Sequence, residues 1–351
     1  MSDAALARMH LELGGAIGHS NRNALMILRR SVILALGSMP LLTLGALSQT
    51  AVKARRVGLL SSGAPFTDAS EVVIGLTSGF SKRGYVLGSS LLLERRAAEA
   101  HLDRLPRLVD ELKSEAELII SNSYAAARVV KDRSNIPVVA ITGADPVATG
   151  LIDSLAHPGG NITGVGEVAA ELSAKRLEVF KDAFPTLRKI AMLWNADDLG
   201  MTLRYKSAEA AARTLGFEIQ PLGVREPEDF AAAFAAMARD RPDAILMVTD
   251  ALTSLNRKRV FEFAAQHKLP AIYEYAFLVR DGGLMSYGPA MDEFYDRAAD
   301  LAVSILRGAR PADLPFEQPT RFYLAINKKT LEALGLTVPG AMLMRADEVV
   351  D

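Results

Sequence analysis

The sequence predicts an α/β protein made of two Rossmann-like lobes, each a parallel sheet with helices on both faces, joined by a hinge. Three observations lead there. From Arg56 onward, short β-branched or leucine-rich runs alternate with amphipathic stretches of helical length, the pattern of parallel strands linked by crossover helices. After four such strands the pattern starts again near Ile190. The halves also share a local signature: Lys82-Arg83-Gly84-Tyr85 and Arg213-Thr-Leu-Gly-Phe217 each set a basic residue, a glycine stop and an aromatic before the second strand. Two copies make two lobes of one architecture, not a tandem array.

In the first half, strands are expected at 57–60, 91–94, 118–120 and 137–141. The helix between the first two, 68–83, carries Val72, Val73, Leu76 and Phe80 at helical spacing and stops at Gly84. Helices at 101–113 and 124–133 fill the next gaps. In the second half, strands are expected at 190–194, 217–221, 244–248 and 271–273, with helices at 201–215, 227–239 and 252–267. The glycine-rich stretch 145–166, with its turn Pro158-Gly-Gly-Asn161, is the expected crossing between lobes; Asn161-Ile162-Thr163 reads as a strand with a polar turn. A second glycine-rich run, 281–288, is the expected return crossing. Residues 291–306 then form a helix packed back on the first lobe, and 322–326 a late strand.

The first fifty residues differ from the rest. Arg29 and Arg30 precede an apolar run, 31–47, broken by Gly37, Pro40 and Gly45, and Ala46 and Ser48 are spaced like the small pair before a leader-peptidase cut at Gln49. That is the pattern of a secretory signal, with Met26 as the natural start. The expected organisation is therefore 1–25 a non-native or disordered extension, 26–54 a signal peptide with its cleavage region, 55–164 with 288–318 the first lobe, and 165–287 with 319–351 the second.

Composition excludes much. The chain has 351 residues, half of them hydrophobic, which is enough for two cores without staples. Its 40 basic and 41 acidic residues leave a net charge of -1, with none of the electrostatic footprint of a nucleic-acid binder. With no cysteine there is no disulfide, thiolate metal site, cysteine nucleophile or lipid-anchoring cysteine. Leu60-Ser-Ser-Gly-Ala-Pro65 occupies the place of a phosphate loop but lacks its further glycines and lysine. The five histidines show no metal-ligand spacing, and His157 and His267 read as turn and helix-end residues. No Gly-x-Ser-x-Gly occurs, and Asp197-Asp198 reads as a solvated helix start. No enzymatic apparatus, metal or cofactor is expected.

Several segments, in order and spacing, resemble the substrate-binding proteins of bacterial ABC importers, in the group that includes tryptophan and tyrosine binders. They are Arg56-Val-Gly-Leu-Leu-Ser61, Ala144-Asp-Pro-Val-Ala-Thr-Gly-Leu151, His157-Pro-Gly-Gly-Asn-Ile-Thr-Gly-Val165 and Ala174-Lys-Arg-Leu-Glu178. Leu269-Pro-Ala-Ile-Tyr273, Gly282-Gly-Leu-Met-Ser-Tyr-Gly288, Arg310-Pro-Ala-Asp-Leu-Pro315 and Leu334-Gly-Leu-Thr-Val-Pro339 continue the match. The resemblance implies a type I periplasmic-binding-protein fold, a periplasmic monomer, and capture of a small organic ligand for delivery to the permease subunits of an ABC importer. A sensory module on the same fold, or a two-Rossmann-domain enzyme, are the alternatives.

In open α/β sheets, ligands bind beyond the carboxyl ends of the strands. That rule selects Ser62, Phe66, Ser123, Tyr124 and Thr142 in the first half and Asn195, Asp250 and Glu274 in the second. An amino acid needs donors for its carboxylate, which Ser123 and the helix after it supply, and an acceptor for its ammonium group, which Asp250 or Glu274 supplies. Ser123 and Asp250 also suit plain helix caps. Asp145, before Pro146, reads as a turn residue. Of the strand-end aromatics, Phe66 and Tyr124 suit a ligand, whereas Trp194 and Tyr273 suit packing.

Overall fold

The computed structural model describes residues 54–166 and 169–351, so the expected extension and, apart from Ala54, the expected signal segment lie outside the described residues. The first sheet is wholly parallel. Its strands β1 (Arg55–Ser61), β2 (Leu91–Ala97), β3 (Leu118–Ser121), β4 (Val138–Thr142) and β5 (Ile162–Gly166) lie in the order β2-β1-β3-β4-β5. Helices α1 (Glu71–Lys82), α2 (Leu105–Glu115) and α3 (Tyr124–Arg133) connect them. With helices on both faces, the inner strands read as continuous apolar runs, and every residue of β3 and β4 is buried.

The second sheet is built from β6 (Lys189–Asn195), β7 (Glu218–Val224), β8 (Ala244–Met247), β9 (Ala271–Tyr273), β10 (Met285–Pro289), β11 (Phe322–Asn327) and β12 (Glu348–Val350). Their order is β12-β11-β10-β9-β8-β6-β7, and only the β10–β11 pair is antiparallel. Around it run α4 (Ala169–Ala183), α5 (Leu199–Thr214), α6 (Asp229–Arg239), α7 (Ala251–Leu255), α8 (Arg257–His267) and α9 (Ala276–Arg280), with α11 (Lys328–Leu334) and α12 (Gly340–Arg345) near its late strands. Pro221 fits inside β7 because β7 is an edge strand, where a missing N–H breaks no ladder bond.

Between them in sequence, α10 (Met291–Leu306) returns to the first sheet and packs along α1. The approach is close enough that a side chain at Gly75 would collide with the Tyr295 ring, and one at Gly79 would sit 2.7 Å from Ala299 Cβ. Phe80 and Leu76 are sealed by this contact together with Phe294, Ala298 and Ala302. Each sheet with its helices is one lobe, and the two-lobed Rossmann-like class expected from the sequence is the fold observed.

Several elements differ from expectation. Residues 285–288, expected inside a return crossing, belong to the ladder strand Met285–Pro289. Their glycine has a packing reason: a side chain at Gly288 would collide with the Glu274 backbone carbonyl. The expected helix 252–267 is broken at Asn256 (φ -96°, ψ 6°) into α7 and α8. The expected helix 68–83 starts only at Glu71, since Thr67 and Ser70 close a turn in which Thr67 N donates to Ser70 Oγ at 2.9 Å. Helix α4 answers to no helix read from the sequence. Among the described residues, no helix is long and apolar enough to cross a membrane.

Candidate functional site

Facing carboxyl ends of the two sheets enclose a cavity of about 610 Å³. The first lobe contributes the loop after β1, the start of α3 and the end of β4. Ser61 and Ser62 are buried there, and Gly63 N donates to Ser61 Oγ at 2.8 Å. Ser123 is the N-cap of α3: its Oγ accepts from Ala126 N at 3.2 Å and from Ser62 N at 3.4 Å. It caps and lines the cavity at once. Thr142 Oγ1 accepts from Ala144 N at 3.0 Å, and Gly143 beside it has no room for a side chain, which would strike the Arg204 guanidinium and the Tyr275 hydroxyl. The lobes touch there.

The second lobe contributes carboxylates, and both lobes contribute rings. Asp250 closes a capping box on α7: its Oδ1 accepts from Thr253 N at 2.9 Å, and its Oδ2 accepts from Asn195 Nδ2 at 2.6 Å. Asp198 caps α5, accepting from Met201 N at 3.1 Å. Burial pushes the Asp198 carboxyl up to about 6, helped by the Asp250 charge and opposed by the backbone amides it accepts from. Burial raises Asp250 as well, against its bonds from Thr253 and Asn195. Tyr275, Phe277, Phe294 and Tyr295 join Phe66 and Tyr124 in an aromatic lining. At the mouth, Arg280 of the second lobe pairs with Glu71 of the first and is held from behind by Glu348 at 2.8 Å.

Six of the eight sequence-selected residues, Ser62, Phe66, Ser123, Tyr124, Thr142 and Asp250, line this one cavity. Two do not. Asn195 stands behind Asp250, where it orients that carboxylate and borders a smaller space of about 220 Å³ between the lobes. Glu274 is only 1% exposed; Arg204 Nη2 lies 2.6 Å and Arg176 Nη1 3.2 Å from its Oε1, and Thr249 N donates to its Oε2 at 2.9 Å. Its charge is committed to two buried guanidiniums, which is why it does not reach the cavity.

Asp198 corrects the reading of Asp197-Asp198 as a solvated start. Asp197 is exposed and pairs with Arg225 at 3.1 Å, whereas Asp198 is 8% exposed on the cavity wall. The available signal was its place just before the first turn of a helix. Asp145 is a turn residue, its Oδ1 accepting from Val147 N and Ala148 N at 2.9 Å each. Trp194 stacks on Tyr205 at 3.7 Å, and Tyr273 is buried in the sheet core. Arg280 and Phe277 reach the cavity from α9, which no local pattern reveals, while Phe294 and Tyr295 come from α10, the helix expected to pack back on the first lobe, whose cavity role was not read from the sequence.

Known proteins share this fold. The chain is 24% identical over 267 residues to the tyrosine-binding protein of Clostridioides difficile (strain R20291), covering 75% of this chain and 76% of that one. It shares its fold with an ABC domain from Streptococcus pneumonia solved in complex with L-Trp (TM-score 0.78, 22% identity, 85% of this chain and 100% of that one). It shares it equally with a conserved domain protein from Vibrio cholerae (TM-score 0.79, 22% identity, the same coverage). The profile of the ABC transporter substrate binding proteins matches residues 67–350. Those residues span both lobes and most of the cavity wall, and the chain therefore belongs to the ABC transporter substrate-binding protein family, a family of solute binders rather than enzymes.

Proposed function

We propose that the protein captures an amino acid, with an aromatic side chain as the best fit, between its lobes and delivers it to the membrane permease of an ABC importer. One observation carries the reading: the cavity sets neutral hydroxyl and amide donors of the first lobe against the caps Asp198 and Asp250 of the second, with aromatic rings in its lining, while its other charged lining residues are paired, Arg280 with Glu71 and Arg257 with Asp281. Donors suit the α-carboxylate, a carboxylate suits the ammonium group, and rings suit a flat apolar side chain. Relatives that bind tyrosine and L-Trp support the same class.

In this reading Ser62, Ser123 and Thr142 face the ligand carboxylate, Asp250 and Asp198 its ammonium, and Phe66 and Tyr124 its side chain. Ligand bridging the lobes stabilises the closed arrangement, and the permease reads that arrangement. The protein acts outside the cytoplasm as a monomer, after removal of the segment before about residue 49. Calorimetry against the twenty amino acids tests the ligand, with tyrosine or tryptophan expected to bind tightest. Unchanged binding in both Asp250→Ala and Ser123→Ala sinks the site assignment. N-terminal sequencing of the exported protein tests the cleavage.

A further inference from the structure

The cavity loop after β1 is held by an uncommon backbone conformation. Just past β2, Glu99 and Ala100 stand side by side at φ 56° and 64°, in the left-handed region where a Cβ crowds the backbone. Non-glycine residues persist there only when their surroundings enforce it, and such sites concentrate around function. Here three hydrogen bonds enforce it. Ala98 N donates to the Ser61 carbonyl at 2.9 Å, Glu99 N to that of Gly63 at 2.9 Å, and Ala100 N to that of Ser62 at 2.7 Å.

Every carbonyl from Ser61 to Gly63 is thereby turned toward 98–100. Across a planar trans peptide the N–H points opposite to the C=O, so the amides of Ser62, Gly63 and Ala64 are turned the other way. Ser61 to Phe66 line the main cavity, while Ala100 and His101 border the smaller space behind it. The amides therefore face the cavity side. Gly63 N meets Ser61 Oγ at 2.8 Å and Ser62 N meets Ser123 Oγ at 3.4 Å; each hydroxyl accepts from an amide and keeps its own O–H to donate onward.

We infer that the Glu99–Ala100 turn is the positioning element of the subsite for the ligand's α-carboxylate, in which the Ala64 amide and the Ser61 hydroxyl join the Ser62, Ser123 and Thr142 hydroxyls named above. This rests on the amino-acid reading above. Neither Glu99 nor Ala100 touches the ligand; they act by aiming the loop. The subsite is neutral and built of converging donors, which suits a carboxylate in a cavity whose opposite wall carries Asp198 and Asp250 and whose lining cations are already paired, Arg257 with Asp281 and Arg280 with Glu71 and Glu348.

The test is calorimetry with L-tyrosine and with tyramine, which keeps the ring and ammonium group but lacks the carboxylate. Ala100→Val puts a β-branched residue where the turn needs φ near +64° and misaims the loop. L-tyrosine affinity is expected to fall about tenfold or more while tyramine affinity moves less than about twofold, and Ala100→Gly, which accepts the same φ, restores the ratio. An equal loss for both compounds makes the turn a purely structural feature and overturns the proposal, as does an unchanged ratio. Should Ala100→Val not fold, Ala64→Pro deletes one subsite amide on an exposed residue and is read by the same ratio. Wild-type protein that binds neither compound overturns the amino-acid reading and this proposal with it; binding of both with an unmoved ratio in the variants overturns the turn's role alone.

Discussion

The two walls of the cavity are built on the same plan and carry opposite chemistry. Both present loops at the carboxyl ends of parallel strands, and both use helix N-caps as wall residues, Ser123 on one side and Asp198 and Asp250 on the other. The first lobe keeps its caps neutral. The second makes them carboxylates and backs them with a buried Arg176–Glu274–Arg204 cluster. A cap must only accept a hydrogen bond, so Ser and Asp satisfy the helix equally well. The choice between them is free to set the polarity of the cavity, and here it makes the two walls differ.

The largest expected effect lies behind the charged wall. Glu274→Ala removes the carboxylate that the buried Arg176 and Arg204 guanidiniums share and should destabilise the protein by about 3–5 kcal/mol in denaturant unfolding. A loss below about 1 kcal/mol would break the comparison, since the charges behind the second lobe's wall would then matter no more than the neutral caps of the first. Next comes binding. Asp250→Ala should weaken an amino-acid ligand by about 2–3 kcal/mol against about 1.5 kcal/mol for Ser62→Ala, since both bonds involve a charged group but only the first joins two opposite charges. Equal losses would mean that the carboxylate wall is structural.

Asp198 offers a test by pH. Its folded value, about 6, lies above the ordinary 3.8, so the folded protein holds this proton more tightly than the unfolded chain. Its contribution to stability is full below pH 3.8 and lost as pH rises through about 6. Asp198→Asn keeps the cap and removes the titration. The ligand-free variant should therefore exceed the parent by about 2 kcal/mol at pH 7 and match it near pH 3.5, as read from paired melting profiles. Ligand affinity should fall in the same variant, which separates the demands of folding from those of binding. The smallest effect belongs to the mouth: Arg280→Ala removes a half-exposed pair with Glu71, and less than about 1 kcal/mol of salt-sensitive stability should go with it.

How much of this was legible in the sequence depended on distance along the chain. Strands β1, β3, β4, β6, β8 and β9 show as short apolar runs because both faces of each are covered, and the strand-end rule then leads to six residues of the cavity wall. The same rule cannot separate Asp250 from Glu274, since both follow a strand by a residue or two. What separates them is Arg176 and Arg204, which lie about seventy or more residues away. Asp198 was hidden by its neighbour: two adjacent aspartates look solvated until the cap turns one of them inward. Glycines misled at 282–288, where they read as loop punctuation although Gly288 is in a strand pressed against the Glu274 backbone. Periodicity reports which face is buried, not what buries it.

Helix α10 carries a consequence for the order in which the molecule assembles. The apolar side of α1, with Val72, Val73, Leu76 and Phe80, is covered largely by residues between Phe294 and Leu306, more than two hundred positions later. During synthesis the first lobe is therefore open on that side until nearly the whole second lobe has emerged. Such long-range closure slows folding and keeps the chain loose for longer. Completion of the first lobe is thus tied to synthesis of the second, and a chain that ends before α10 would leave this face of α1 bare.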